Sequence, residues 1–511
     1  MTEDRAPTLA SDAVGERGPG PRIALIGGWL GPLVALAMWW LGPPEGLSAP
    51  GWQTLAVLAW MVVWWVCEPV PIAATSLLPI VVLPLAGIVG ATDATSAYAD
   101  PIVFLFIGGF IVAVAIERWG LHQRIALSMI SAVGTRPVAL IGSFALASCL
   151  LSMWISNTAT TLMLIPTALG VAHAVAHGEA VQRSGELAAD LRAQTSPGTP
   201  LAAALVLMVA YGASIGGIGT PVGSPTNLIA MSYLEKQGLA LSFAQWMTIA
   251  VPLMLAMLFA AWAILAWPLR RHRASAEVTK TLDQRRQALG PMSRPERRVL
   301  GVFLLVASAW MFSPLLKRID ALSGLNDTAI AVAGALLLFA LPSGDAQTPR
   351  SRLLDWKTAE RIPWGVALLF GGGLSVAAAM ESHGVSAWLG GTMSGMSDLP
   401  PLLVLLILAA MTVVASEFMS NVATLAAFLP VIAGISLATG LPPLLLAFNA
   451  SMAASLAFMM PAGTAPNAIA YGTGAVRIQH MIRVGLRLNL ISILSITAVS
   501  EWLAPLVLGP H

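Results

Sequence analysis

The chain has 511 residues, 57% of them hydrophobic and only 10% charged, with a formal net charge of +2. Its mean hydropathy is +0.79. This composition excludes an ordinary soluble protein, and so small a net charge favours no nucleic-acid partner. Cys67 and Cys149 both sit in apolar runs, which argues against a disulfide framework or a thiolate metal site.

Residues 1–21 are polar, rich in Gly, Pro and acidic groups, and read as a disordered cytoplasmic tail. No small-residue cleavage site follows the first apolar run, so the tail is not a signal peptide. Runs long enough to cross ~30 Å of hydrocarbon then recur along the chain. They fall at 22–42, 51–67, 71–90, 101–120, 200–236, 247–270, 297–317, 325–342, 364–384, 443–475 and 481–507, eleven in all. The segment 121–134 reads as an interfacial helix. Two further apolar stretches, 136–176 and 400–438, are too long for one crossing and read as re-entrant hairpins, which are tolerated where protein or water covers the bare backbone.

Loop charge orients these spans. The 270–298 loop carries Arg270, Arg271, Arg273, Lys280, Arg285, Arg286, Arg294, Arg297 and Arg298 and is predicted to be cytoplasmic. With eleven spans, Arg118/Arg124/Arg136, Arg183/Arg192, Arg350/Arg352/Lys357/Arg361 and Arg477 fall on the same side. The opposite loops 43–50, 91–100, 237–246 and 391–399 hold Glu45, Asp93, Asp100 and Asp398 but no Lys or Arg. The expectation is a protein of the cell (inner) membrane with its N-terminus inside and its C-terminus outside.

The chain also repeats itself. Ser156-Asn157-Thr158-Ala159-Thr160 returns as Ser420-Asn421-Val422-Ala423-Thr424, 264 positions later. Phe106, Gly108, Gly109, Glu117, Gly120, Ser152 and Pro166 recur at the same offset as Phe370, Gly372, Gly373, Glu381, Gly384, Ser416 and Pro430. Five spans separate the two hairpins, an odd number, so the repeats are predicted to be inverted, with the two Ser-Asn tips approaching from opposite faces. A second pair lies in spans five and ten: Gly219-Thr220-Pro221-Val222-Gly223-Ser224-Pro225-Thr226-Asn227 and Pro461-Ala462-Gly463-Thr464-Ala465-Pro466-Asn467. Gly and Pro at this density unwind a helix.

A broken span bares carbonyls that suit Na⁺ and helix N-termini that suit an anion. The tips add neutral Ser and Asn oxygens and donors. No Lys, Arg or His lies in either tip or either break, so a bound anion would depend on co-bound cations for its neutralisation. One Ser-Asn-Thr alone would be a cap or a packing motif; two of each motif, in register, point to a site. Glu417 stays open between tuning the site and a local cap. Glu117 and Glu381 read as structural anchors, His173 and His177 as interfacial, and the Trp pairs as interface belts.

Ser152-Met-Trp-Ile-Ser156-Asn157-Thr158-Ala-Thr160, its Ser420-Asn421 partner and Ala454-Ser455-Leu-Ala-Phe458-Met-Met-Pro461-Ala-Gly463-Thr-Ala-Pro-Asn467 resemble the divalent-anion/sodium symporter (DASS) family of INDY-like di- and tricarboxylate transporters. The resemblance implies an all-α polytopic protein of eleven spans plus two hairpins that works as a homodimer by an elevator motion. It implies a scaffold of 22–134 (spans one to four) and 271–398 (cytoplasmic loop and spans seven to nine). The transport domain would comprise 135–270 (first hairpin, spans five and six) and 399–511 (second hairpin, spans ten and eleven).

It further implies one Na⁺ held by Ser152, Ser156, Asn157 and Gly223, and a second by Ser416, Met419, Asn421, Gly463 and Ala465. Ser156, Asn157, Thr158, Ser420, Asn421, Val422 and Thr464 would meet the substrate. Val422 stands where the family commonly has Thr, and Ala465 where Pro is frequent. The function expected is Na⁺-coupled import of C4-dicarboxylates such as succinate, malate or fumarate. A sodium-independent dicarboxylate exchanger and a citrate or sulfate transporter of the same family stay open. An ion channel would need a continuous pore, and a membrane enzyme a nucleophile–base or metal constellation that the sequence lacks.

Overall fold

A computed structural model describes residues 21–132, 136–184, 199–271, 282–284 and 286–503. The expected N-terminal tail, the last residues of the chain and much of the 178–199 and 270–298 loops lie outside the described residues. Among the described residues the secondary structure is helical, apart from one isolated bridge between Pro342 and Arg352.

The first half holds α1 (Pro21–Leu41), α2 (Ala49–Cys67), α3 (Ile72–Thr75), α4 (Leu78–Leu85), α5 (Ala91–Ser96), α6 (Pro101–Arg118) and α7 (Leu121–Ala132). The hairpin helices α8 (Pro137–Ser152) and α9 (Asn157–Ser184) follow, then α10 (Pro200–Gly217), α11 (Pro225–Lys236) and α12 (Phe243–Ala266). The second half runs α13 (Arg294–Met311), α14 (Asp327–Ala340), α15 (Trp364–Ser382), α16 (Val385–Thr392), α17 (Pro401–Ser416) and α18 (Asn421–Thr439). It ends with α19 (Pro443–Ser455), α20 (Ala465–Gly472) and α21 (Ile478–Ala498). Among the described residues, nine helices are long and apolar enough to cross a membrane.

Boundaries moved where caps decide them. Span six begins at Phe243 rather than 247, because Ser242 and Gln245 form a reciprocal capping box. Span seven begins at Arg294, behind the Ser293–Glu296 box and with Pro295 in the first turn, where its missing N–H costs nothing. The expected third span, 71–90, is broken: α3 and α4 are separate, and Pro79 in the first turn of α4 has no N–H to give back to Thr75. Span eight is also short, only 14 residues in α14.

The repeat is visible in three dimensions. Phe106 and its equivalent Phe370 touch edge to face, with centroids 5.5 Å apart, as equivalent residues do when they lie beside an axis relating the halves. The equivalent turns after α6 and α15 use Gly120 (φ +69°) and Gly384 (φ +75°), a left-handed conformation that only glycine adopts without strain. α10 is enclosed on nearly all sides, with 94% of its residues buried, whereas only 17% of α1 is covered. Hydrophobic burial does not drive helices together in lipid; close approach of small residues does. A methyl built on Gly216 would collide with the backbone of Cys149, so glycine there lets α10 lie directly against α8. Away from the broken spans, Arg124 of α7 pairs with Glu296 at 2.8 Å, and Arg118 at the end of α6 with Asp355 at 2.5 Å.

Candidate functional site

Each hairpin turns over in a few residues and presents the same pair of side chains. In the first, Ser152 closes α8 and Asn157 opens α9, and Ser152 Oγ donates to Asn157 Oδ1 at 2.5 Å. In the second, Ser416 closes α17 and Asn421 opens α18, and the two side chains meet at 2.9 Å. Ser156 and Ser420 cap the following helices, accepting from Ala159 N–H (3.2 Å) and Ala423 N–H (3.3 Å). Each hydroxyl thereby uses an acceptor site and keeps its own hydrogen to give to a ligand.

Against each tip lies a broken span. α10 stops at Gly217 and α11 starts at Pro225; α19 stops at Ser455 and α20 starts at Ala465. One asparagine clamps each break in the same way. Asn227 Nδ2 donates to Gly217 O (2.9 Å) and Thr220 O (2.8 Å), ten and seven residues back. Asn467 Nδ2 donates to Ala457 O (3.3 Å) and Met460 O (3.2 Å), at the same two separations. Both asparagines are fully buried, where an unmet amide would be costly. Thr220 and Thr464 bind the loop from the inside, accepting from Gly223 N–H (3.1 Å) and Asn467 N–H (3.3 Å).

Glycine leaves a cradle of oxygens at each break. A methyl on Gly223 would lie 2.7 Å from Gly217 O, 3.0 Å from Met153 O and 3.1 Å from Ser152 O. Asn157 packs its amide onto the bare Cα of Gly217, beside that cradle. A methyl on Gly463 would lie 3.0 Å from Ser416 O. At Asn421 the amide end sits 3.0 Å from Gly463 O, 3.1 Å from Ala454 O and 2.9 Å from Ser416 Oγ. With Oδ1 facing them, four oxygens converge and have only the Ser416 hydroxyl hydrogen to share. That cluster is satisfied either by turning the amide so that Nδ2 donates, or by a cation among the oxygens. The donor sets therefore suit a hard cation of low charge: carbonyls, hydroxyls and amide oxygens.

The two half-sites are one structure. Ser455 of the second broken span contacts Thr226 Oγ1 (2.6 Å) and Ser224 Oγ (3.5 Å) of the first, and Ser451 Oγ donates to Asn227 Oδ1 (3.4 Å). Tyr211 of α10 donates to Phe458 O at 3.0 Å, and the two rings stack edge to face. α9 packs on α20, and α18 on α11, so each hairpin also touches the other half's broken span. Burial is graded: Ser152, Ser416, Gly223 and Gly463 are buried, while Ser156, Asn157, Thr158, Ser420, Asn421 and Val422 are only half-buried. The deep oxygens are out of reach of bulk water, and the tips are within reach of a ligand.

The remaining predicted residues take less central places. Thr464 is nearly buried, Met419 lies in the second turn, and Ala465 begins α20. Val422 packs its methyls against the apolar cluster around Trp65 and Leu369. Several neighbours of the candidate site were not assigned to it from sequence: the Asn227 and Asn467 clamps, the Ser224/Thr226/Ser451/Ser455 hydroxyls, and above all Glu417. That carboxylate is buried and accepts from Phe458 N–H (2.9 Å), Met459 N–H (2.9 Å), Met460 N–H (2.7 Å) and Asn489 Nδ2 (2.6 Å). A lone acidic residue at membrane depth was itself the available signal.

Paired hairpin tips facing paired helix breaks, in a polytopic helical chain, define a multi-pass membrane protein of the transporter class. Residues 28–508 match the family model described as sodium:sulfate symporter transmembrane region, and the chain belongs to that family. It is 37% identical over 497 residues to the sodium-dependent dicarboxylate transporter SdcS of Staphylococcus saprophyticus, covering 95% of this chain and 92% of that one. The SdcS of Staphylococcus aureus USA300 is 37% identical over 489 residues, with the same coverage. In fold it is similar to the YdaH transporter of Alcanivorax borkumensis (TM-score 0.55, 14% identity, 96% of this chain and 100% of that one). It is likewise similar to MtrF of Neisseria gonorrhoeae (TM-score 0.52, 12% identity, 92% and 97%).

Proposed function

We propose that this protein is a secondary transporter that couples Na⁺ to the uptake of C4-dicarboxylates such as succinate, malate and fumarate. The observation that carries the reading is the duplicated half-site: a Ser–Asn pair at a hairpin tip, set against a glycine cradle of oxygens in a broken span, present twice and joined by buried hydroxyls. The names of the SdcS relatives support the choice of cation and substrate class.

In this reading Ser152, Ser156, Asn157 and the Gly223 cradle hold one Na⁺, and Ser416, Met419, Asn421, Gly463 and Ala465 hold the other. Ser156, Asn157 and Thr158 from one tip, with Ser420, Asn421, Val422 and Thr464 from the other half, bind the two carboxylates. No basic side chain stands in either tip or break, so the dianion's charge is met by helix N-termini and the two cations. Occupancy of the cation sites and of the anion site are thus linked thermodynamically, each raising the affinity for the other by the same factor.

The transport domain is α8–α12 with α17–α21, moving as an elevator against α1–α7 and α13–α16 in a homodimer. The N-terminus is cytoplasmic and the C-terminus outside, in the inner membrane. The family model's description favours sulfate as the second reading. Uptake of radiolabelled succinate by the purified protein in liposomes tests both. Na⁺-dependent uptake that unlabelled malate competes with is expected; competition by sulfate alone would transfer the assignment to sulfate, and uptake indifferent to Na⁺ would favour an exchanger.

A further inference from the structure

The two halves share the Ser–Asn pair, the capping serine and the glycine of the break, but they differ in how the hairpin turn is stitched to the broken span. In the first half, the hairpin turn is tied to the broken span by a neutral bond, in which the Thr220 hydroxyl donates to Met153 O. The residue equivalent to Met153, 264 positions on, is Glu417. There, beside a neutral tie from Ser416 Oγ to Ala454 O (2.6 Å), a carboxylate gathers the N–H groups of Phe458, Met459 and Met460 and the amide of Asn489. The Asn489 Oδ1 completes the clamp by accepting from Phe458 N–H at 3.0 Å. Four donors converge, an arrangement that solvates a carboxylate.

This placement is expensive. Glu417 is 3% exposed and follows the last residue of α17, at the negative end of that helix. It is not a member of the ion pairs found among the described residues. The first half shows that the mechanical tie is achieved without any charge, so the charge itself needs another reason. Its neighbour is the second oxygen cluster: a methyl on Gly463 would lie 3.4 Å from Glu417 Oε2, on the residue whose carbonyl faces Asn421. Met460, held through its N–H by Glu417 and through its carbonyl by Asn467, carries that geometry along the loop, since Gly463 N–H also donates to Met460 O (3.3 Å).

We propose that Glu417 is a positioning residue that also gives the second half-site a formal negative charge, so that this half-site takes its cation before the anion arrives, whereas the first, all-neutral half-site does not. The proposal rests on the sodium-coupled reading above. It makes the two sites sequential rather than equivalent: the second loads from Na⁺ alone, and the first fills with the dianion.

The test is thermal melting of the detergent-purified protein without any dicarboxylate, titrating NaCl against choline chloride at constant ionic strength. Wild type is expected to gain melting temperature with Na⁺. Glu417→Gln, which keeps the shape and removes the charge, is expected to raise the Na⁺ needed for half the effect by about tenfold or more, as loss of a charge-assisted contact would. Ser152→Ala, in the first half, is expected to leave this anion-free response in place and to weaken Na⁺ dependence only with succinate present. Melting in choline alone reports fold stability separately, and Glu417→Asp, which keeps the charge while shifting its position, separates the two roles: if position alone mattered it would raise the Na⁺ half-saturation as much as Glu417→Gln. Should Glu417→Gln not fold, Asn489→Ala, which removes one donor and keeps the charge, is expected to raise the half-saturation in the same direction by a smaller factor. A folded Glu417→Gln protein with wild-type Na⁺ half-saturation overturns the proposal, as does an unchanged Asn489→Ala where the first variant fails. Absence of any Na⁺ response in wild type would instead sink the sodium-coupled reading itself.

Discussion

Gly223→Ala perturbs the first half-site at a single atom. The new methyl would sit 2.7 Å from Gly217 O, 3.0 Å from Met153 O and 3.1 Å from Ser152 O, where ordinary contact begins at 3.4 Å. All three are backbone oxygens, and Gly217 is itself clamped by Asn227, so none can swing aside cheaply. Overpacking of this kind costs about 1–3 kcal/mol. Read as lost cation affinity, that is roughly a five- to 150-fold rise in the Na⁺ needed for half-maximal uptake. The same change at Gly463 meets only one oxygen at 3.0 Å and two atoms of Glu417 at 3.4 Å, so its effect should be smaller. Gly301→Ala is the control: nothing lies within 4 Å, and alanine in mid-helix is favoured by roughly 0.5–1 kcal/mol. The assay is succinate uptake into proteoliposomes across a Na⁺ series, with monodispersity checked for each variant. A well-folded Gly223→Ala protein with wild-type Na⁺ half-saturation would refute the cradle as a cation site.

Asn157→Ala and Asn421→Ala should each abolish uptake or raise the Na⁺ requirement by about five- to 150-fold, since an unfilled oxygen position in a buried site costs about 1–3 kcal/mol; wild-type Na⁺ dependence in both would make the tips structural. Val422→Thr should shift the relative competition of succinate, malate and citrate by a few-fold to about tenfold, the worth of one hydroxyl, while leaving Na⁺ dependence intact; an unchanged competition series would remove Val422 from the substrate site. With the native cysteines replaced, Gln347→Cys and Ser397→Cys, both exposed, should label from opposite faces of oriented vesicles, the former from the cytoplasmic side. Labelling from one face would break the orientation.

The architecture was legible because its signals are local or periodic. Apolar length announces spans, and Gly–Pro density announces the breaks at Gly217–Pro225 and Ser455–Ala465. The Ser–Asn motifs were legible as a pair because the chain carries its own comparison, 264 positions apart. What escaped were features set by competition between local rules. The third span reads as one apolar run, yet Pro79 divides it into α3 and α4. The start of span six lay behind a polar capping box that hydropathy does not see.

The clamps were hidden for a different reason: their partners are distant in sequence. Nothing local ties Glu417 to Met460 or Asn489, 43 and 72 residues away, or Tyr211 to Phe458, 247 residues away. The internal repeat nevertheless offers a way to find such residues. Where both halves keep a residue, as with Asn227 and Asn467, a shared mechanical task is implied, and the structure supplies it in the matching clamps. Where one half substitutes a charge for an apolar residue, as Glu417 does for Met153, the shared task cannot explain the difference. A buried charge in a membrane is costly, and here it is offset by the four donors that converge on it from its own half. The second oxygen cluster, beside Gly463 and Asn421, is the group within its reach. In this duplicated chain the symmetric residues build the clamps that both halves share, and the departure at Glu417 is where the two halves can be told apart by experiment.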